Sequence, residues 1–202
     1  MVMAILPFLG RRLSTPAIDL DFPFRSGTFI IAQGGSNTMV NIHAANSSQR
    51  YGLDIVKLNS AGTRARGLYP ADLKRYAIFG EELICPCDGI VAAVQDNHKD
   101  FSPPDRDIDH RAGNYIAIEY KGATLYLAHL MKGSICVPIG EHVHSGQTLG
   151  RVGNSGNTTE PHLHVHAEKG SYPGTFSGNQ GIPILFNHRY LIRNDRITVE
   201  NE

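Results

Sequence analysis

Six residues of this chain, Pro161-His162-Leu163-His164-Val165-His166, set three imidazoles at alternate positions. In an extended strand, residues i and i+2 face the same side. His162, His164 and His166 can therefore share one face. Neutral imidazole is a common zinc ligand and the usual proton acceptor near pH 7. A face carrying both a ligand and a base is what metal-assisted hydrolysis needs. An H-x-H pair alone is weak evidence, because the chain holds 10 His. Asp54 adds a carboxylate inside the apolar run Tyr51-Gly52-Leu53-Asp54-Ile55-Val56. An acid in such a run needs a partner. His129 closes Leu125-Tyr126-Leu127-Ala128-His129-Leu130, and His43 ends Val40-Asn41-Ile42-His43. Each of the last three alone also suits a hydrogen-bonded or surface residue. His142 and His144 read as exposed turn residues, and His98, His110 and His188 as surface.

The elements that would position these groups are short strands. The 202 residues include 21 Gly and 11 Pro, a composition suited to tight turns between strands. Length fits a single domain with an arm. Lys+Arg and Asp+Glu both count 19, so nothing in the charge balance points to nucleic acid. No stretch is long enough to span a membrane. Met1 to Gly10 is apolar and is followed by Arg11-Arg12, the reverse of a secretory signal; membrane anchoring stays open. Cys85, Cys87 and Cys136 read as buried free thiols, which does not fix the redox compartment.

Residues 1–25 read as an irregular N-terminal arm, 26–192 as the domain and 193–202 as a C-terminal tail. Strands are expected at Thr28 to Ala32, Met39 to His43, Tyr51 to Leu58, and Leu83 to Val94 broken at Asp88-Gly89. Further strands are expected at Tyr115 to Tyr120, Ala123 to Leu130, Ile135 to Val137, Thr148 to Val152, His162 to Ala167 and Pro183 to Ile192. Lys121-Gly122 reads as a hairpin turn. Residues 59–80 look inserted, with helical spacing over Ala71 to Phe79. Residues 95–113 and 170–181 read as surface loops.

The stretches ICPCDGIVAAV (84–94), GNYIAIEY (113–120), LYLAHL (125–130) and VPIGEHVHSGQTLGRVGNSGNTTEPHLHVH (137–166) resemble the lysostaphin-type, LytM-like zinc metallopeptidases, which are cell-wall endopeptidases. With the strand around Asp54, the resemblance covers roughly residues 40–168. It implies a mainly β fold with an antiparallel sheet core, a site in a groove, and a Zn2+ cofactor. It also implies a peptidoglycan peptide or other peptide as substrate, a cell-envelope location (periplasmic or extracellular), and no nucleic-acid partner; a monomer is expected. In that family a carboxylate and two histidines hold zinc, and two further histidines do acid/base work. The resemblance assigns Asp54 and His164 to the metal, and His162 and His129 to catalysis. His162 is expected mainly as the base and His129 mainly as the oxyanion stabiliser.

One position departs from the family pattern. The other zinc histidine stands four residues before the acid, and here that residue is Arg50. A guanidinium stays protonated and has no lone pair for a metal. Two readings follow. Either His43 reaches the metal from upstream, across the Ala44 to Ser48 loop, leaving Arg50 to pair with Asp54 or a substrate carboxylate. Or the metal site is incomplete, and the domain binds cell wall or a partner hydrolase without cleaving.

Overall fold

The structure, a computed structural model, describes residues 13, 16–169 and 179–200. The expected features at Met1 to Gly10 and most of the 170–181 loop lie outside these. Fourteen strands are present among the described residues. They are β1 (Ile18–Leu20), β2 (Gly27–Gln33), β3 (Leu53–Leu58), β4 (Glu82–Ile84), β5 (Gly89–Gln95), β6 (Asn114–Tyr120) and β7 (Ala123–Leu130). Then follow β8 (His142–Val143), β9 (Thr148–Arg151), β10 (Leu163–Lys169), β11 (Gly181–Ile182), β12 (Ile184–Phe186), β13 (Arg189–Tyr190) and β14 (Arg196–Val199). The main sheet runs β14-β2-β3-β10-β7-β6-β5-β8, with β11 also paired to β10. Its pairings are antiparallel. The fold is thus mainly β with an antiparallel core; the one parallel pairing, β1 with β12, lies in a small separate sheet.

Alternation sorts the central strands into two faces. Leu163, Val165 and Ala167 of β10 join Leu53, Ile55, Leu125 and Leu127 in the hydrophobic core. Phe22, Phe24, Phe29 and Phe186 form an aromatic cluster at one end of it, with Phe24 stacked on Phe29 at 4.5 Å between ring centroids. Burying each such ring contributes on the order of 1.5–3 kcal/mol. The β6–β7 hairpin turns at Lys121 (φ 48°) and Gly122 (φ 75°), the two left-handed residues that match the twist of antiparallel strands.

The structure departs from the expected elements in places. Residues 16–25 are not an irregular arm: Ile18–Leu20 pairs in a sheet, and Phe22 and Phe24 are buried. The expected strand over Met39 to His43 is instead a 3-10 turn, Ile42–Ala45, because the Asn41 side chain caps it by accepting from the His43 N–H. The helical spacing of 71–79 yields only the short turn Leu73–Arg75, capped by Asp72; such a turn is too short to gain helical cooperativity. Ile135 to Val137 forms no strand, whereas Arg196–Val199, in the expected tail, pairs with β2. Cys85 and Cys87 are buried free thiols, but Cys136 is exposed. Among the described residues, no helix is long and apolar enough to cross a membrane.

Candidate metal and catalytic site

The centre of the main sheet builds the site by register. Asp54 on β3 stands directly opposite His164 on β10. A cross-strand pair shares one face, and His164 Nδ1 lies 2.8 Å from Asp54 Oδ1. His43 arrives from the capped 3-10 turn, with its Nε2 3.0 Å from both Asp54 oxygens. Asn41 holds that turn in place. Its buried amide donates to the Gly35 and Gly52 carbonyls at 2.8 and 3.0 Å while its oxygen accepts from the His43 N–H. Gly52 provides the room: a Cβ there would sit 3.2 Å from His164 Cε1 and 3.4 Å from His43 Cγ. One donor atom from each of His43, Asp54 and His164 falls within 4.8 Å of the others.

His129 reaches the same groove by breaking the strand pattern. His164 pairs with Ala128, so alternation would send the next side chain to the opposite face. His129 is instead the extra residue of a bulge, since β6 pairs Asn114 with Leu130 and Tyr115 with Ala128. Its φ is +65°, a left-handed conformation uncommon outside glycine and asparagine. Hydrogen bonds over-determine it: its N–H donates to Ala112, its carbonyl accepts from the Gly153 N–H, and its Nδ1–H donates to the Ser155 carbonyl at 2.8 Å. A carbonyl only accepts, so this bond fixes the tautomer and leaves Nε2 with a lone pair.

His162 is prepared in the same way. Its Nδ1–H donates to the Glu160 carbonyl at 2.8 Å, and its Nε2 faces the groove, 3.5 Å from Asp54 Oδ1. The His129 and His162 rings lie 4.7 Å apart, edge to face.

Of two residues behind the site, His166 was expected either to support it or to lie at the surface, and Glu168 was not singled out. His166, exposed in no sense, is buried and stacked on Tyr126 at 4.8 Å with an interplanar angle of 9°. It bridges His164 Nε2 at 3.0 Å to buried Glu168 Oε1 at 3.2 Å. Glu168 also accepts from Asn179 at 2.9 Å. This chain of contacts orients the His164 ring from behind, as carboxylate–imidazole pairs do for metal-binding histidines. The i, i+2, i+4 spacing of His164, His166 and Glu168 was the available signal.

Charge and burial set the protonation of the groove. Burial raises the Asp54 carboxyl, but the charges of His162 and His43 and hydrogen bonds from His164 and His43 outweigh it, holding Asp54 well below the usual carboxylate range. Burial, reinforced by His43, pushes His164 down to about 3. Burial, with His162 and His164 adding to it, likewise pushes His129 well below its ordinary value. An ionised Asp54 and a neutral His164 imidazole are in the state in which such groups can coordinate a metal. These donors therefore fit zinc, which accepts nitrogen and carboxylate oxygen in three-residue sites.

Arg50 stands apart. It is exposed and donates to the Ser36 carbonyl at 3.4 Å. The expected alternative of an Arg50–Asp54 pair is not formed: the Asp54 oxygens are taken by His43 and His164. The groove beside the site, about 420 Å³, is lined by Ile42, Gln49, Arg111 and Asn157 together with His43, His129 and His164. A larger cleft of about 1030 Å³ near Asp21, Cys87 and His144 contains no convergent ligand set among the described residues. His142 and His144 are exposed there, as expected.

The pattern of peptidase family M23 matches residues 75–175, a span that contains His129, His162 and His164 but neither His43 nor Asp54. The peptidoglycan DD-endopeptidase ShyA of Vibrio cholerae is 31% identical over 124 residues, 57% of this chain and 26% of that protein. The chain thus spans about a quarter of that relative's length. Among solved structures, the deep-sea M23 metalloprotease pseudoalterin aligns with a TM-score of 0.50 at 13% identity, covering 91% of this chain and 99% of that one. A putative M23 peptidase from Pseudomonas aeruginosa aligns with a TM-score of 0.42 at 19% identity, covering 82% and 53%. At 13% identity the likeness to pseudoalterin concerns the fold alone. The sequence match spans half of the chain and includes its three most informative histidines: the chain belongs to peptidase family M23.

Proposed function

We propose that this chain is a zinc-dependent endopeptidase acting on the peptide part of bacterial peptidoglycan in the cell envelope. The observation that carries the reading is the convergence of His43, Asp54 and His164 beside two histidines whose Nδ1–H groups are both committed to carbonyls. His43, Asp54 and His164 would hold the metal. Zinc so held supplies Lewis acidity for a hydrolytic water or a substrate carbonyl.

The remaining work belongs to the side chains. Each Nδ1–H of His129 and His162 is committed to a carbonyl, so each ring presents its Nε2 for proton transfer. His129, buried and held neutral, suits the base that takes a proton from water and releases it to the leaving amine. His162, partly exposed beside Asp54, is placed to hydrogen-bond the carbonyl oxygen once it carries a proton. The burial of His129 thus supports the reverse of the division of labour expected from the sequence. Along the groove, exposed Ile42 and Arg111 offer an apolar contact and a partner for a peptide carboxylate.

The test is turnover of purified cross-linked peptidoglycan, with released peptides identified by mass. The protein as purified is expected to cleave peptide bonds, to lose that activity on dialysis against a chelator, and to regain it with zinc. Cleavage that survives complete metal removal would overturn the reading. Binding to peptidoglycan without cleavage, in zinc-loaded protein, would establish the non-catalytic alternative that Arg50 raises.

A further inference from the structure

A second cluster of metal-type donors lies outside this groove, on the long connection 96–113 between β5 and β6. His98, Asp107 and His110 bring one donor atom each within 4.8 Å of one another. Connections of this length without strand or helix are uncommon in compact domains and tend to serve function. Its ends are tied down. The side chain of buried Asn114 grips His98 from both sides, accepting from its N–H and donating to its carbonyl, each at 2.8 Å. The Asp107 N–H donates to the Gly156 carbonyl at 2.9 Å. Asp107 Oδ1 accepts the N–H groups of Asp109 and His110 at 3.1 and 3.0 Å, which orients Oδ2 toward His110 Nδ1, 2.9 Å away. The two imidazole rings pack with centroids 4.4 Å apart. They border a shallow cleft of about 330 Å³ shared with Gln95, Arg111 and Tyr115.

We propose that His98, Asp107 and His110 form a second, peripheral zinc site that clamps one wall of the groove. Two imidazoles and a carboxylate suit a borderline ion such as zinc rather than calcium or magnesium, which take mainly oxygen. The exposed His110 side chain is free on its outer side to turn toward an ion held by bonds of about 2.0–2.1 Å. The consequence for the groove runs through the backbone. Arg111 and Ala112 follow His110 directly, both line the catalytic groove, and the Ala112 carbonyl receives the His129 N–H at 3.1 Å. An ion at the clamp would hold the segment that braces His129.

Equilibrium dialysis of the whole chain against zinc alone, with metal counted per chain, tests the assignment. Wild type is expected to bind two ions, and His110→Ala and His164→Ala one each. The double variant is expected to bind none, with at least about 100-fold loss of affinity at each altered site. In the His164→Ala background, zinc is expected to slow amide hydrogen exchange over 98–112, and His110→Ala to abolish that protection. Because His110 is exposed, its variant should fold; Asp107→Asn provides an independent one. A zinc count unaltered by both His110→Ala and Asp107→Asn, whether wild type binds one ion or two, would overturn the clamp. A wild type that binds one ion only, removed by His110→Ala and left in place by His164→Ala, would instead contradict the catalytic reading alone.

Discussion

His164→Ala is expected to give a folded chain with one zinc fewer and peptidoglycan hydrolysis slowed by at least about 10³-fold, roughly 4 kcal/mol of transition-state stabilisation. His164 projects from the face of β10 opposite the core, so Leu163 and Val165 keep their packing when the imidazole is removed. What disappears is a donor atom 2.8 Å from the Asp54 carboxylate, held from behind by His166 and Glu168. Two ligands would remain, too few to retain a catalytic ion tightly. Asp54→Asn should behave alike, since it replaces an anionic donor by a neutral one among three imidazoles. Metal analysis, circular dichroism and peptide release measured on the same preparations check this. Wild-type rates in a His164→Ala protein with the groove ion gone would contradict it.

The second large effect separates catalysis from metal binding. His129→Ala and His162→Ala are each expected to lower kcat by about 10²–10⁴-fold. KM should change little, and the zinc count should stay that of wild type. Neither ring is within the ligand set, yet each has its Nε2 free to work on a proton. The double variant should lose much less than the product of the two single losses, because groups acting on one proton path fail as a unit. Loss of metal from either single variant would show that the ring serves the ion rather than the reaction.

The residues of this site were largely legible; their supports were not. His162 and His164 could be read from period-2 spacing, and the Lys121-Gly122 turn from its residue types, because both signals are local. Asp54 was visible as an acid in an apolar run. His43 could be named but its approach could not. A strand was expected over Met39 to His43, yet the Asn41 side chain competes for the backbone and makes a capped turn. That turn, and the gap left by Gly52, bring His43 onto Asp54. His129 carried no hint of its bulge, since a left-handed histidine is stabilised only by tertiary partners such as Ser155 and Ala112. His98 and His110 read as surface residues because they lie twelve positions apart in a loop. Only closure of that loop on Asn114 and Gly156 brings them together. Strands such as Ile18–Leu20 and Arg196–Val199 were missed for a related reason: short edge strands depend on a partner far away in sequence.

The account turns on whether His43 supplies what Arg50 cannot. The direct measurement is a zinc-edge anomalous difference map from crystals of the zinc-loaded protein. The predicted result is a peak about 2.0–2.1 Å from a ring nitrogen of both His43 and His164 and bonded to the Asp54 carboxylate, with Arg50 outside the groove. A zinc-loaded protein with no peak between these three side chains, or with His43 turned away from the ion, would contradict it.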